Sequence, residues 1–389
     1  MARKAGIIIS VALVLCVAAF FLFAPGIVEK SMNKVVPVPM KISPRAEALQ
    51  KTLDVADMHA DSLLWKRDLL KRSSRGQVDL PRLQAGHYAL QVFSSVTKTP
   101  KHQNYDGNSG DTDNITTLVI ADLQPPRTWN SLLERSLYHA EKLKRFAARS
   151  DGQMRLVTTS ADLERLMADR RAGKPVVGAM LSIEGLQDLE GRLDNLDRLY
   201  AAGFRMAGLA HFFDNDVAGS MHGTKKGGLT PLGRQAVARM EKLGMIVDVA
   251  HASHETVAEV IAMARRPLVS SHGGVQATCK VNRNLTDGEI RGIARTGGVI
   301  GIGYWDAAIC SNNPSDVAKA IAHVRDLVGI DHVGLGSDFD GAVTTGFDAS
   351  QVVAVTQALI DIGFSDDEIR KVMGGNVLRV LTAGIAPQA

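Results

Sequence analysis

Eight short apolar runs alternate with longer amphipathic stretches after residue 50, and this rhythm constrains the fold more than any other feature of the chain. Nearly all of the runs are continuously apolar, which is typical of parallel strands buried on both faces. They cover residues 53–59, 88–94, 176–183, 205–210, 245–250, 267–271, 298–304 and 332–337. Eight strands separated by helices predict an α/β domain, a closed (β/α)8 barrel of the TIM-barrel type.

The stretches between the runs carry helical patterns and helix-start signals. Thr230 followed by Pro231 is a favourable N-cap and first turn, and Ser365 precedes three acidic residues that open a last helix. The predicted helices are residues 132–148, 160–172, 193–202, 230–243, 254–264, 286–296, 314–328 and 348–362. A polar insertion at 98–113 follows the second strand and is expected to form a loop over the barrel mouth.

The N-terminal region differs in composition from the rest of the chain. Arg3 and Lys4 precede an apolar run, residues 5–24, that is long enough to cross a bilayer as a helix. Phenylalanines stand where a signal peptidase would need small residues, which favours an uncleaved anchor over a cleaved signal peptide. The positive-inside rule then places the body outside the cytoplasm, in the periplasm if the source is a bacterium. The predicted division is a signal anchor or signal peptide at 1–26, a linker at 27–49 and the barrel at 50–389.

The overall charge and the cysteines limit the other possibilities. The formal net charge is +4 without a long basic block, so we expect no nucleic-acid partner. Cys279 and Cys310 could pair in an oxidising compartment or remain buried free thiols, and their spacing does not decide between these states. Nothing in the sequence determines whether the barrel forms a homodimer.

Metal-ligating side chains gather at the ends of the predicted strands, where active sites of such barrels form. His59 and Asp61 lie two residues apart and therefore share one face of the first strand. Each residue alone could be a turn, loop or hydrogen-bonded core residue, but together they predict a metal centre. The candidate ligands are His59, Asp61, Glu184, His251 and His272.

Three histidines and two carboxylates exceed what one catalytic zinc ion needs, since such an ion uses three protein ligands and a water. The set favours two Zn²⁺ ions that share a carboxylate and generate a hydroxide for hydrolysis of an amide, ester or phosphoester. Asp338 could be a ligand or a proton shuttle, and His211 could face the substrate. Arg283 could clamp a substrate carboxylate or form a surface salt bridge.

The motifs that carry these residues together resemble those of the membrane dipeptidase (renal dipeptidase) family, across roughly residues 50–385. They lie at 57–61, 78–83, 183–185, 209–211, 228–230, 247–253, 271–272, 283–284, 336–341 and 374–380. The resemblance implies a zinc-dependent dipeptidase that often tolerates a D-residue at the C-terminal position of its dipeptide substrate. It also implies a disulfide between Cys279 and Cys310, in agreement with an extracytoplasmic body.

The resemblance further implies a role for each site residue. His59 and Asp61 would hold one zinc ion, and Glu184 would bridge it to a second ion. The second ion's own ligands would be His251 and His272.

Three more residues would act on the substrate. Asp338 would pass the proton of the attacking water to the leaving amine. His211 would stabilise the oxyanion, and Arg283 would bind the dipeptide's terminal carboxylate.

Two other functions remain open from the sequence. A different binuclear-metal amidohydrolase would act on lactones, cyclic amides or phosphoesters, but such enzymes typically bridge their metals with a lysine. Here Glu184 follows the third strand, and no lysine ends a strand in the middle of the barrel. A non-enzymatic binding protein with a degenerate site is the second alternative, and the full ligand set argues against it.

Overall fold

The computed structural model describes residues 2–386, without the side chains of residues 2, 3, 5 and 6. The side chain of Arg3 and the last three residues of the predicted barrel domain therefore lie outside the described residues. Within them the strands are β1 (Lys34–Val35), β2 (Val55–Ala60), β3 (Tyr88–Val96), β4 (Met154–Leu156), β5 (Val177–Glu184), β6 (Phe204–Gly208), β7 (Ile246–Asp248), β8 (Val269–Ser270), β9 (Val299–Ile302), β10 (Val333–Leu335) and β11 (Thr344–Thr345).

The helices surround the strands. In chain order they are α1 (Ala2–Met32), α2 (Pro44–Gln50), α3 (Leu80–Ala85), α4 (Ile115–Ala121), α5 (Arg127–Asn130), α6 (Leu132–Arg149), α7 (Ser160–Arg171), α8 (Asp194–Ala202), α9 (Pro231–Leu243), α10 (His254–Met263), α11 (Asp287–Arg295), α12 (Asp306–Ile309), α13 (Pro314–Val328), α14 (Val353–Asp361), α15 (Asp366–Arg370) and α16 (Asn376–Gly384).

Parallel pairing closes the predicted barrel. Within residues 2–386, the eight barrel strands neighbour each other in the order β2, β3, β5, β6, β7, β8, β9 and β10. The ring closes where β10 pairs with β2, with Leu335 opposite Asp57. All eight strands are parallel, so their carboxyl ends meet at one rim. The (β/α)8 prediction is confirmed.

Several short elements lie outside the predicted set. The strand β4 pairs with β5 outside the ring, and α2, α3, α4 and α5 are helices of seven residues or fewer. Such lengths hold too few periods for apolar spacing to identify them. Their start signals are local instead, as at Ser43, whose side chain accepts from the amide of Ala46 and precedes Pro44.

The N-terminal helix is longer than the apolar run predicts. It continues past Pro25 to Met32, and its segment Ile7–Met32 is long and apolar enough to cross a membrane. The predicted linker at 27–49 is therefore helical at its start, and α2 occupies its end. Between them, β1 pairs with β11 at the barrel rim. The amide of Val36 also donates to the carbonyl of Thr345 at 2.8 Å, so the segment between α1 and α2 is hydrogen-bonded to the barrel.

A disulfide joins Cys279 to Cys310. It links the loop after β8 to the end of α12. The two cysteines are therefore paired and are not free thiols, the alternative that their spacing left open.

Removing this disulfide is expected to destabilise the barrel. A Cys279→Ser/Cys310→Ser variant should lose about 2–4 kcal/mol of unfolding free energy, because the closed loop restricts the unfolded chain. Urea unfolding of the two proteins measures the difference. Cys16→Ser is the control, since Cys16 is an exposed free thiol on α1. Equal midpoints for the double variant and the wild type would contradict the expectation.

Candidate active site

All seven predicted metal and catalytic residues lie buried at the carboxyl rim of the barrel. His59 lies within β2 and Glu184 is the last residue of β5. The others lie within three residues after the end of a strand: Asp61 after β2, His211 after β6, His251 after β7, His272 after β8 and Asp338 after β10. The closure of the ring therefore brings together residues that span almost the whole body of the chain.

Glu184 lies at the centre of this cluster. Its Oε1 is 3.0 Å from Nε2 of His251 and 3.3 Å from Nε2 of both His272 and His211. Its Oε2 is 3.6 Å from Nε2 of His59. One carboxylate thus faces imidazoles that come from four strands.

The remaining carboxylates lie on the His59 side of Glu184. Nε2 of His59 is 3.3 Å from Oδ1 of Asp61 and 3.7 Å from Oδ1 of Asp338. Among residues 2–386, three groups of ligand atoms are close enough to hold a cation: His59, Glu184 and His272; Glu184, His211 and His251; His59, Asp61 and Asp338.

Nε2 of His251 and Nε2 of His272, the predicted ligands of one ion, are 2.8 Å apart. His272 also groups with His59, and His211 joins His251 at ligand distance. The assignment of His211 to the oxyanion alone therefore stays a prediction. Glu184 belongs to two of the groups, as a bridging ligand would.

Unpaired polar atoms indicate that the cluster fits metal ions. Nε2 of His59, Oδ1 of Asp61 and Oε2 of Glu184 are buried without a hydrogen-bond partner. Leaving such atoms unpaired costs about 1–3 kcal/mol each, and more when they are charged. Imidazole and carboxylate donors suit zinc and similar divalent ions. The donor set therefore fits divalent cations at the places where these atoms converge.

The protonation states support this fit. Burial and neighbouring cationic groups hold the pKa values of His211, His251 and His272 well below the usual value, so these imidazoles are neutral and able to ligate. Burial raises the pKa of Glu184 to about 7, with Asp61 adding to the effect. A cation would offset this cost and keep the carboxylate ionised.

Hydrogen bonds behind the ligands fix their orientation. Ser271 Oγ donates to Oδ2 of Asp248 at 2.5 Å and lies 2.9 Å from Nδ1 of His272. Because the hydroxyl proton is used by Asp248, Ser271 accepts from Nδ1–H, which leaves Nε2 of His272 free to ligate. The hydrogen bonds from Asp248 through Ser271 to His272 form a relay that exists only when β7 and β8 pair. The sequence pattern therefore gave Ser271 and Asp248 no role.

Breaking this relay is expected to weaken metal binding. Ser271→Ala should lower metal affinity about 10–100-fold, the usual effect of losing a partner behind a ligand. Competition with a chromophoric chelator measures it. Ser270→Ala is the matched control, because neighbouring residues of a strand point to opposite faces. Equal affinities for the two variants would mean that Ser271 does not orient His272.

Backbone strain accompanies two of the site residues. His251 has φ 62° and Asp338 has φ 58°, in the left-handed region that non-glycine residues rarely adopt. Each such residue costs on the order of 1–3 kcal/mol and persists where the surroundings enforce it. The turn after each strand thereby directs its side chain into the cluster.

Arg283 lies beside the ligands rather than at the surface. Its guanidinium donates to the carbonyl of His272 at 2.8 Å and lies 3.3 Å from Nε2 of His251. Its Nε is buried without a hydrogen-bond partner. The surface salt bridge considered from the sequence is therefore wrong, and the guanidinium is available to an anionic group in the site.

The polar insertion after the second predicted strand reaches the barrel mouth, as predicted. Thr99, His102, Gln103 and Tyr105 line a cavity of about 710 Å³ that also contains Glu184, His211, His251, Arg283 and Asp338. The hydroxyl of Tyr105 lies 3.3 Å from Nε1 of Trp305, so the insertion contacts the loop after β9.

Sequence reasoning missed His222 beside this cavity. Its ring stacks on Phe212 with centroids 4.7 Å apart and lies 5.3 Å from the ring of His251. Burial lowers the pKa of His222 to about 3, so the ring is neutral. It follows no strand directly, and strand-end position was the only signal that the sequence offered.

A family model described as membrane dipeptidase (peptidase family M19) matches residues 43–386. The chain belongs to the membrane dipeptidase family. It is accordingly a metallopeptidase of the dipeptidase type, and the resemblance seen in the motifs is confirmed.

Relatives of this membrane dipeptidase family member agree with that assignment. Dipeptidase aclJ of Aspergillus oryzae is 31% identical over 409 residues, which cover 97% of this chain and 89% of that protein. The probable dipeptidase PvdM from Pseudomonas aeruginosa has a TM-score of 0.75 at 23% identity, covering 89% of this chain and 99% of that chain.

A metallopeptidase from Rhodobacter sphaeroides is a further structural relative. It is liganded with a phosphinate mimic of the dipeptide L-Ala-D-Ala, and has a TM-score of 0.67 at 24% identity. The match covers 86% of this chain and 99% of that one. At these identities PvdM and this structure support the fold alone.

Proposed function

We propose that this chain hydrolyses dipeptides, including those with a C-terminal D-residue, with two zinc ions that Glu184 and the neighbouring imidazoles would hold. The observation that carries the proposal is the convergence of four imidazoles on one buried carboxylate. The match to the membrane dipeptidase family model and the 31% identity to dipeptidase aclJ support the choice of dipeptides as substrate.

Two residues of the chain have separate roles in the proposed reaction, Asp338 in proton transfer and His211 in charge stabilisation. Two zinc ions, when bound, supply an activated water and polarise the substrate carbonyl. Asp338 accepts the proton of the attacking water and returns it to the leaving amine as the C–N bond breaks. His211 stabilises negative charge on the carbonyl oxygen. The buried position of Asp338 raises the pKa of its carboxyl well above the usual value, which suits a group that both accepts and donates.

A substrate screen tests the proposed function. Purified full-length protein loaded with zinc should release amino acids from both L,L- and L,D-dipeptides, and no lactone or phosphoester should be turned over at a comparable rate. Hydrolysis of lactones or phosphoesters with dipeptides left intact would favour the rival binuclear hydrolase. Zinc binding without turnover of any of these substrates would favour the binding protein.

Arg283 is proposed to bind the substrate's terminal carboxylate. Arg283→Ala should lower kcat/KM for a free dipeptide about 10²-fold, because a charge-assisted pair is lost. The same dipeptide with an amidated C-terminus should lose far less, since it offers no carboxylate. Kinetics on the two substrates measure the difference, and an equal loss on both would contradict the assignment.

We also propose that α1 is a retained anchor and that the barrel lies on the extracytoplasmic side. The apolar segment Ile7–Met32 and the disulfide between Cys279 and Cys310 support this placement, because disulfides persist in oxidising compartments. Proteolysis of intact spheroplasts tests it. Protection of the barrel until the membrane is permeabilised would contradict the proposal.

A further inference from the structure

Tyr105 reaches from the polar insertion at 98–113 to a second loop of the cavity mouth. Its hydroxyl oxygen accepts from Nε1 of Trp305 at 3.3 Å, and both residues line the active-site cavity. The insertion follows β3, whereas Trp305 lies in the loop after β9. The contact therefore joins two loops that leave the barrel rim at different strands, and the two aromatic side chains together bound one part of the cavity.

Trp305 is held in place beside Arg283. It is buried, and its ring centroid lies 5.8 Å from Cζ of Arg283. Trp305 directly precedes α12, and the disulfide between Cys279 and Cys310 joins the end of that helix to the loop that carries Arg283. Trp305 is therefore a fixed part of the wall next to the guanidinium.

Tyr105 is held from its other side by the loop after β6. Its carbonyl accepts from Nδ1 of His222 at 3.1 Å, since a carbonyl oxygen carries no proton to donate. Its ring lies 5.3 Å from the ring of His222 and 5.8 Å from that of Phe212. The amide of Asn108 donates to the carbonyl of His222 at 2.8 Å. These contacts fix the insertion next to the site, so Tyr105 belongs to the wall of the cavity.

The hydroxyl of Tyr105 lies among charged groups of the site. Burial raises the pKa of Tyr105, so the phenol keeps its proton, and the charges of Asp338 and Arg283 are close enough to act on it. Asp338 and Arg283 line the same cavity as Tyr105. Tyr105 therefore lies near the two side chains that would handle the two ends of one substrate residue.

That residue is the C-terminal one of the dipeptide. In the proposed reaction Asp338 returns a proton to the leaving amine, which is the amino group of the C-terminal residue. Arg283 binds the carboxylate of the same residue. The C-terminal residue would thus extend from Asp338 to Arg283, in the part of the cavity that Tyr105 and Trp305 bound.

We propose that Tyr105 determines the size of the C-terminal residue that the enzyme accepts, because its ring and Trp305 close the pocket for that residue's side chain. This proposal rests on the dipeptidase function. The closed pocket suits a small side chain such as that of alanine. A large side chain would have to displace the insertion and break the hydrogen bond between Tyr105 and Trp305. The N-terminal residue lies on the other side of the scissile bond and is not subject to this limit.

Two isomeric dipeptides that release the same products test the proposal. Zinc-loaded full-length wild type and Tyr105→Ala are given alanyl-phenylalanine or phenylalanyl-alanine, and free amino acids are measured. We expect Tyr105→Ala to raise kcat/KM for alanyl-phenylalanine about tenfold or more, because relief of steric conflict in a pocket has effects of this size. The value for phenylalanyl-alanine should not rise. An unchanged ratio of the two values would overturn the proposal, whatever the absolute rates. Failure of the wild type to hydrolyse either isomer or alanyl-alanine would instead contradict the dipeptidase function.

Two further variants separate the bulk of the ring from other effects. Tyr105→Phe keeps the ring and should keep the wild-type ratio, and a rise equal to that in Tyr105→Ala would overturn the role of the ring. Asp106→Ala is the matched control in the insertion, because Asp106 is exposed and does not line the cavity. The ratio should not change in that control. An equal rise in Asp106→Ala and Tyr105→Ala would also overturn the proposal, since it would show a general loosening of the insertion.

Discussion

Asp338→Asn is expected to lower kcat for dipeptide hydrolysis by about 10²–10⁴-fold, the usual contribution of a general acid–base group. The amide keeps the shape of the carboxylate but cannot accept the water's proton. Oδ1 of Asp338 lies 3.7 Å from Nε2 of His59, and Asp338 has a positive φ. We expect the rest of the site to keep its geometry in the variant. Steady-state kinetics and zinc content, measured on the same preparation, check the result.

Zinc content distinguishes the two roles that the sequence left open for Asp338. If Asp338 moves the proton, the variant retains both zinc ions and only the rate falls. Loss of a zinc ion in parallel with the rate would instead make Asp338 a ligand, as its group with His59 and Asp61 permits. Asp216→Asn is the control, because Asp216 is exposed in the loop after β6 and should behave as wild type. An unchanged rate in Asp338→Asn would contradict both roles.

Glu184→Gln is expected to remove most of the activity and at least one zinc ion per chain. A neutral amide cannot balance the positive charge of two zinc ions. Several kcal/mol of charge stabilisation in the transition state would therefore be lost. That loss corresponds to a decrease in kcat/KM of about 10³-fold or more. Metal analysis after dialysis, together with kinetics at saturating zinc, measures both effects.

Stability provides a second readout for Glu184. Removing a buried carboxyl that burial keeps at a pKa of about 7 should leave the metal-free protein at least as stable as the wild type. The variant therefore should fold, and its defect should lie in metal binding. Glu164→Gln, an exposed change on α7, is the control and should retain both ions. Two tightly bound zinc ions in Glu184→Gln would contradict a bridging role.

The barrel and its ligand cluster were predictable because both follow from local patterns. Continuous apolar runs indicate buried parallel strands, and parallel strands bring their carboxyl ends to one rim. His251 and His272 each come directly after such a run, so their convergence followed from the topology alone. The convergence of Glu184 with them has the same origin.

Other features depend on contacts between distant segments, which a local pattern does not encode. In the sequence, Glu29 lies beyond the apolar run, yet the structure shows it buried and paired with Arg67 and Arg75. Its burial requires the helix to continue past Pro25 and to lie on the barrel. The grouping of His211 with His251 likewise depends on side-chain directions at the rim, which strand order does not determine.

Anomalous diffraction from crystals of the zinc-loaded protein would test the central claim most directly. We expect two zinc peaks about 3.5–4 Å apart, the usual separation of paired catalytic metals, with the carboxylate of Glu184 between them. The imidazoles of His59, His251 and His272 should each contact one of the peaks. A single peak, or a pair that Glu184 does not touch, would contradict the binuclear site.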